Sequence, residues 1–219
     1  LGKLHDTAPG DSGLPAAVWK ALAETDESFA LVRQIVLTFW ETEEMPAELE
    51  IGLLAILAKK GNKSLPGNYR GIMMLEVAYK IDGNIMLERL TPLIESLDHE
   101  AQNGFRRFRG CPDGIFTVKQ LLNKRREHGE ETWVLFLDLV KAFDRVPRCA
   151  ENTLPRDQTD PAAASHDESI GLLWRVMLRY GTQPKLVRLL IAMHKTVHVK
   201  FDVDGVMKTP VSSYEEIDG

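Results

Sequence analysis

Asp138 and Asp144 are the carboxylates whose surroundings point most clearly to chemistry in this chain. Trp133-Val134-Leu135-Phe136-Leu137 runs apolar, without alternation, into Asp138. Phe143-Asp144 follows, and the chain turns at Val146-Pro147. An unbroken apolar run predicts a strand buried on both faces or within a layered core. A carboxylate at its end is costly to bury unpaired, and a divalent metal ion is one partner that offsets the cost. Asp144 is read as capping the following turn. Two basic stretches could serve the same chemistry. Lys59-Lys60-Gly61-Asn62-Lys63, with Asn68-Tyr69-Arg70 beyond a Pro66-Gly67 turn, could clasp a triphosphate, Arg70 donating two hydrogen bonds. Gln102-Asn103-Gly104-Phe105-Arg106-Arg107-Phe108-Arg109-Gly110 alternates cations with aromatic rings, a composition suited to a phosphate backbone or the face of a base.

These groups must be held by elements that the hydrophobic pattern outlines. Pro9-Gly10-Asp11-Ser12-Gly13 reads as loop. Pro15 opens a helix to about Ala23. Asp26 caps a second, Glu27 to about Trp40, with Phe29, Leu31, Val32, Ile35, Val36 and Phe39 as its stripe. The apolar runs Ile51–Ala58 and Ile72–Leu75, joined by the basic loop, predict a hairpin-like pair of strands. Helices follow from Glu76 to about Leu97, with Gly83 and Pro92 as weak points, and from about Asp113 to Arg126. Lys119, Lys124, Arg125 and Arg126 lie toward the outer face and end of that last helix, where they suit its dipole. Residues 149–166 carry no apolar period, and a helix resumes at Ile170–Gly181. Val197, Val199, Phe201 and Val203 alternate with polar neighbours into a strand, and Asp204-Gly205 is a hairpin signal.

The 219 residues suffice for one sizeable or two-lobed domain, and 44% hydrophobic with 27% charged residues is an ordinary globular composition. Net charge is −5, unevenly spread: residues 1–50 hold 3 basic and 10 acidic side chains, residues 101–150 hold 10 and 6. A phosphate-facing surface is therefore expected around the carboxylates. Cys111 and Cys149 have no metal-ligand spacing and support no disulfide framework. No apolar run reaches membrane-spanning length and no targeting signal is readable, which gives an intracellular reading, nucleus or cytoplasm, with no membrane partner. A haloacid-dehalogenase-type site would need a second aspartate where Val140 stands, and a dinucleotide site would need a glycine-rich turn that is missing.

The string Leu137-Asp138-Leu139-Val140-Lys141-Ala142-Phe143-Asp144-Arg145-Val146-Pro147 resembles the first catalytic motif of reverse transcriptases, those of non-LTR, LINE-like retrotransposons in particular. The resemblance extends to Thr7–Ala16, to Lys59, Lys60 and Asn68-Tyr69-Arg70, to Gln102–Gly110, and to Leu173-Trp174 through Leu190. Gly71 replaces the usual proline, and Cys111-Pro112 the usual small hydroxyl residue.

What the resemblance implies is an α+β right-hand polymerase, fingers and palm, with an incomplete palm sheet. Residues 1–14 would be a leading segment cut from a longer polyprotein, 15–148 the fingers and first palm motif, 149–169 an inserted or disordered loop, and 170–219 palm helices with a terminal hairpin. The family's activity is RNA-directed DNA synthesis by two-metal nucleotidyl transfer, with RNA template, DNA primer and deoxynucleoside triphosphates as partners. Two Mg2+ ions serve it, roughly 4 Å apart. By the same resemblance Asp138 is the catalytic metal ligand. Lys59, Lys60, Arg70, Leu139, Ala142 and Phe143 contact the nucleotide, with Phe143 excluding a ribose 2′-hydroxyl. Gln102, Phe105, Arg106, Arg107 and Arg109 face the template. The family's aromatic-x-Asp-Asp hairpin and glycine-rich motif have no counterpart after Asp144. Phe201-Asp202-Val203-Asp204 separates its acids by one residue and reads as a solvated strand face. The alternative is a catalytically inactive retroelement remnant, at most a nucleic-acid-binding module.

Overall fold

The computed structural model describes residues 4, 8–143, 145–146, 154–195, 198–203, 206–207 and 211–212. It is a mixed helix-and-strand chain with a small sheet, divided into two compact units, Leu1–Glu88 with Arg148–Gly219 and, separately, Arg89–Pro147.

In the first unit α1 (Ala16–Ala21) starts directly after Pro15. α2 (Asp26–Thr42) is capped one residue earlier than the sequence predicts. The Thr25 hydroxyl accepts from the Ser28 N–H at 3.3 Å, and Asp26 lies in the first turn, where a negative charge suits the positive end of the dipole. The α2 stripe is narrower than its periodicity suggests: Val32 and Phe39 are buried, whereas Phe29, Leu31 and Ile35 are exposed.

β1 (Ile51–Ala58) and β2 (Tyr69–Met74) form the expected antiparallel pair, in register from Leu53↔Met74 to Ala58↔Tyr69. β3 (His198–Val203) lies parallel to β1 on its other side, Ile51↔His198 to Leu54↔Phe201. The short β4 (Val206–Met207) and β5 (Val211–Ser212) both pair antiparallel with β3, so the Asp204-Gly205 turn expected from sequence lies between paired strands but outside the described residues.

Two apolar clusters hold this unit. One gathers Leu4, Ala16, Val32, Val77 and Ile81 beneath α3 (Val77–Leu97), which runs through Pro92 as one helix. The other joins α6 (Leu172–Arg179) and α7 (Pro184–Lys195) through Trp174, Leu178, Val187 and Ile191.

Residues 154–169, expected within an inserted or disordered loop, are instead tied to that second cluster. A short α5 (Pro161–Ser165) buries Ala164, and Leu154 is also buried. The physical link is Arg188. Its guanidinium reaches both carboxylate oxygens of Glu43, at 2.6 and 3.2 Å, and also donates to the carbonyls of Pro155 and Gln158. Composition hid this because small residues and carbonyls, rather than an apolar period, make the contacts.

The leading loop is anchored as well. The Ser12 N–H and hydroxyl donate to the two oxygens of buried Glu76, at 2.6 and 2.7 Å, and Lys200 pairs with Asp11 at 2.6 Å. Gly10 is required there, since a Cβ would stand 2.6 Å from the Glu76 N and Oε1 atoms.

The second unit holds the last turns of α3 and α4 (Cys111–Glu127). α4 starts where the Asp113 carboxylate accepts from the Gly110 N–H at 2.7 Å, and it ends on Lys124, Arg125 and Arg126 as the dipole favours. The buried strand expected over Trp133–Leu137 does not form. Residues 131–139 carry no strand, helix or turn, and Trp133, Leu135, Phe136 and Leu137 are all exposed, Trp133 at 93%. The reason is local: strand N–H and C=O groups need a paired neighbour, and every strand of the described chain belongs to the first unit.

Candidate nucleotide and nucleic-acid site

The hairpin of β1 and β2 presents the first cation group. Lys59 immediately follows β1, whose Leu57 is paired with Arg70 on β2, so Lys59, Lys60 and Arg70 share one end of the pair. The connecting loop is stiffened by its own bonds. Lys59 N–H donates to the Asn68 carbonyl at 2.7 Å, the Asn68 amide to the Asn62 carbonyl at 2.8 Å, and the Tyr69 hydroxyl to the Lys63 carbonyl at 2.8 Å. Gly61 supplies the left-handed turn, φ 129°. The Lys59 ammonium rests on the Gly67 carbonyl at 3.3 Å. Among the described residues none of Lys59, Lys60 or Arg70 has a carboxylate partner, and all three are exposed. A preorganised, uncompensated cation cluster is what a polyphosphate would need.

The arginine–phenylalanine loop differs in its electrostatics. Arg106 lies 3.4 Å from Asp98, Arg107 4.0 Å from Glu95, and Arg109 is bonded to Glu100. Arg109 holds the Glu100 carboxyl below its ordinary range, first by hydrogen bond and then by charge. Gln102 turns back to the Gly104 carbonyl at 3.1 Å. A phosphate reaching this loop would exchange with acids already in place. Phe105 and Phe108 both have left-handed backbone, φ 61° and 59°, and are exposed, Phe105 at 95%. Left-handed backbone is uncommon for non-glycine residues and costs conformational energy.

Phe105 also meets the motif string. Its ring packs edge-on against Phe143, centroids 6.1 Å apart at 85°, so two residues expected at different subsites, template and nucleotide, touch within one unit. Leu139 precedes, and Ala142 lies within, a turn in which Lys141 takes φ 51° and its carbonyl accepts from the Arg145 N–H at 3.1 Å. Asp138 precedes the turn and is exposed, so its carboxylate meets solvent rather than the buried setting expected. Asp144 lies outside the described residues. No group of three metal-ligating side chains occurs among the described residues. Asp138 nonetheless fits magnesium chemically, because that ion takes hard oxygen ligands and is held by one or two carboxylates plus substrate phosphates.

Three features escape sequence reasoning. Asp82 on α3 is 1% exposed with Oδ2 unpartnered, and burial pushes its carboxyl up to about 7. Its signal was available: it stands four residues before buried Met86, within the apolar face. The Glu43–Arg188 pair had no local signal. Glu43 ends α2 in left-handed backbone, φ 56°, a conformation that acidic residues rarely announce. That pair borders a cleft of about 270 Å³ that Glu44, Leu154, Arg156 and Lys195 also line. Among the described residues no helix is long and apolar enough to cross a membrane.

Residues 57–152, which contain the hairpin cations, the arginine–phenylalanine loop and the Asp138 string, match the family described as reverse transcriptase (RNA-dependent DNA polymerase). Two curated proteins are similar. The transposon TX1 uncharacterized 149 kDa protein of Xenopus laevis is 29% identical over 65% of this chain and 11% of its own length. The retrovirus-related Pol polyprotein from type-1 retrotransposable element R2 of Popillia japonica is 27% identical over 64% of this chain and 18% of its own. The matched stretch thus spans under a fifth of either relative. Residues 57–152 therefore resemble a reverse transcriptase domain, and both similar proteins are retrotransposon proteins by name.

Proposed function

We propose that the chain takes part in RNA-directed DNA synthesis with a fingers and palm fold, the β1–β2 hairpin cations of one unit binding triphosphate and the Asp138–Phe143 string of the other supplying the acid and the nucleotide-contacting residues. The observation that carries this reading is the pairing of two features in one family-matched stretch: cations without carboxylate partners, and the acid-bearing string. Lys59, Lys60 and Arg70 neutralise the phosphates, and charge-assisted bonds from a planar guanidinium fix their orientation. Asp138 would hold Mg2+, two ions serving the family's reaction; the ions supply charge neutralisation at the transferred phosphate and an activated primer oxygen. Phe143 limits room at the sugar, selecting deoxynucleotides. Phe105 and Phe108 offer stacking faces to template bases, while Gln102, Arg106, Arg107 and Arg109 approach its backbone once their acids are displaced. The action is intracellular.

A second reading, a nucleic-acid-binding module without catalysis, is favoured by the uncovered Trp133–Val140 run, which leaves Asp138 outside any sheet. Primer extension on an RNA template with Mg2+ separates the two. Extension that disappears in Asp138→Asn supports the first; template binding by the same preparation without extension supports the second.

A further inference from the structure

The cleft of about 270 Å³ at the ends of α2 and α7 gathers charges of both signs, none of which the nucleotide reading uses. Two of them satisfy each other. Glu43 and Arg188 meet through two contacts, at 2.6 and 3.2 Å, with side chains only 9% and 12% exposed, so the pair forms a fixed and neutral wall. Three charges remain available. Glu44 and Lys195 are exposed, and neither has an ion-pair partner among the described residues. Arg156 donates to the Thr42 carbonyl and stands 4.0 Å from Glu43, but its side chain is 63% exposed. A guanidinium carries five N–H donors, so several are left over. The rest of the lining is apolar, Leu154 and Pro155 on the chain leading to α5 and Ile191 and Ala192 on α7.

Each feature restricts the guest. Helix C-termini carry partial negative charge, and α2 and α7 both end here, which offsets the surplus of cations. So balanced a field favours neither a lone anion nor a lone cation; a molecule bearing both signs uses all of it. The apolar lining calls for an apolar body. A volume below the roughly 300–1,000 Å³ of sites for drug-sized ligands keeps that body small. We propose that the cleft binds a free α-amino acid with an aliphatic side chain. Its carboxylate accepts charge-assisted bonds from Arg156 and Lys195, its ammonium donates to Glu44, and its side chain lies against Leu154, Ile191 and Ala192. Arg188 serves as a brace. By joining Glu43 to the Pro155 and Gln158 carbonyls it holds the end of α2, residues 155–158 and α7 together before any ligand arrives, which lowers the ordering cost of binding. A nucleotide fits worse, because its phosphates would meet Glu44 and two helix C-termini with no ammonium to offset them.

The test uses the full chain without nucleotide or template, so its outcome is independent of the functional reading above. Isothermal titration with L-leucine at millimolar concentration should show saturable binding. Two probes keep the aliphatic body and drop one charge: 4-methylpentanoate lacks the ammonium, and isoamylamine lacks the carboxylate. Each should bind at least about tenfold more weakly than leucine, the loss expected when one contact to a charged group is removed. Lys195→Met and Glu44→Gln should each weaken leucine binding at least about tenfold as well, with the thermal midpoint of unfolding unchanged because both side chains are exposed. Lys195→Arg, which keeps the charge, should restore leucine binding. No saturable binding of leucine, equal binding of the three compounds, wild-type affinity in Lys195→Met or Glu44→Gln, or a Lys195→Arg variant as weak as Lys195→Met would each overturn the proposal.

Discussion

The two units contrast in what they do with apolar side chains. Every buried residue among those described belongs to Leu1–Glu88 with Arg148–Gly219, and none belongs to Arg89–Pro147. In the first unit Trp174 and Leu178 are 1% exposed. In the second, Ile115, Phe116, Val118 and Leu121 of α4 are exposed, only Leu122 of its stripe being half-buried, and the apolar run beside Asp138 is exposed too. The hydrophobic effect acts on both alike. What differs is company: α6 and α7 bring stripes that face each other, whereas among the described residues Trp133–Val140 has no strand beside it. The unit that holds Asp138 and the arginine–phenylalanine loop is therefore the one without a buried residue among those described.

The sharpest way to break this contrast is substitution. Trp174→Ala should cost about 3–5 kcal/mol in urea unfolding, the usual penalty for emptying a large buried site. Phe116→Ala should stay within about 0.5 kcal/mol, as at exposed positions. Equal effects would mean that both units are similarly packed.

Asp82 sharpens the contrast from within the first unit. Its folded carboxyl titrates near 7, above the ordinary 3.8, because burial disfavours the charged form. The folded state thus binds this proton more tightly than the unfolded state. Asp82's contribution is fully present below about pH 4 and is lost as pH rises toward 7, by at most about 4 kcal/mol at 1.36 kcal/mol per pKa unit. Asp82→Asn should flatten the fall in stability measured between pH 4 and 8. An unchanged slope would show that Asp82 is hydrated.

Arg188→Ala comes next. It strips Glu43 of its bidentate partner in a setting where both side chains are largely buried, and should cost about 3 kcal/mol. It should also free the segment around Pro155 and Gln158, seen as faster cleavage there by a nonspecific protease. Stability and cleavage both at wild-type levels would return that segment to the status of a dispensable loop.

Much of the fold was legible because helix and strand periods are local. The helices at Asp26–Thr42, Val77–Leu97 and Cys111–Glu127 and the β1–β2 pair fall within a few residues of their predicted bounds. The motif string named the family without any coordinates, since side-chain order survives where packing does not. Burial was less legible. The same lack of alternation that predicts a two-sided buried strand at Trp133–Leu137 describes an apolar segment whose neighbours are not supplied, because a sequence period reports preference and not partners. The Arg188 clamp was invisible for a related reason: all four of its acceptors lie on Glu43, Pro155 and Gln158, in stretches that carry no apolar period.

The role of Asp138 and the hairpin cations is tested most directly by equilibrium binding of a fluorescent deoxynucleoside triphosphate, with and without Mg2+. Binding should strengthen with Mg2+ and weaken at least about tenfold in Asp138→Asn and in Arg70→Ala, as expected when a charge-assisted contact worth about 1.5–3 kcal/mol is lost. Affinity indifferent to Mg2+ and equal in both variants would contradict the account.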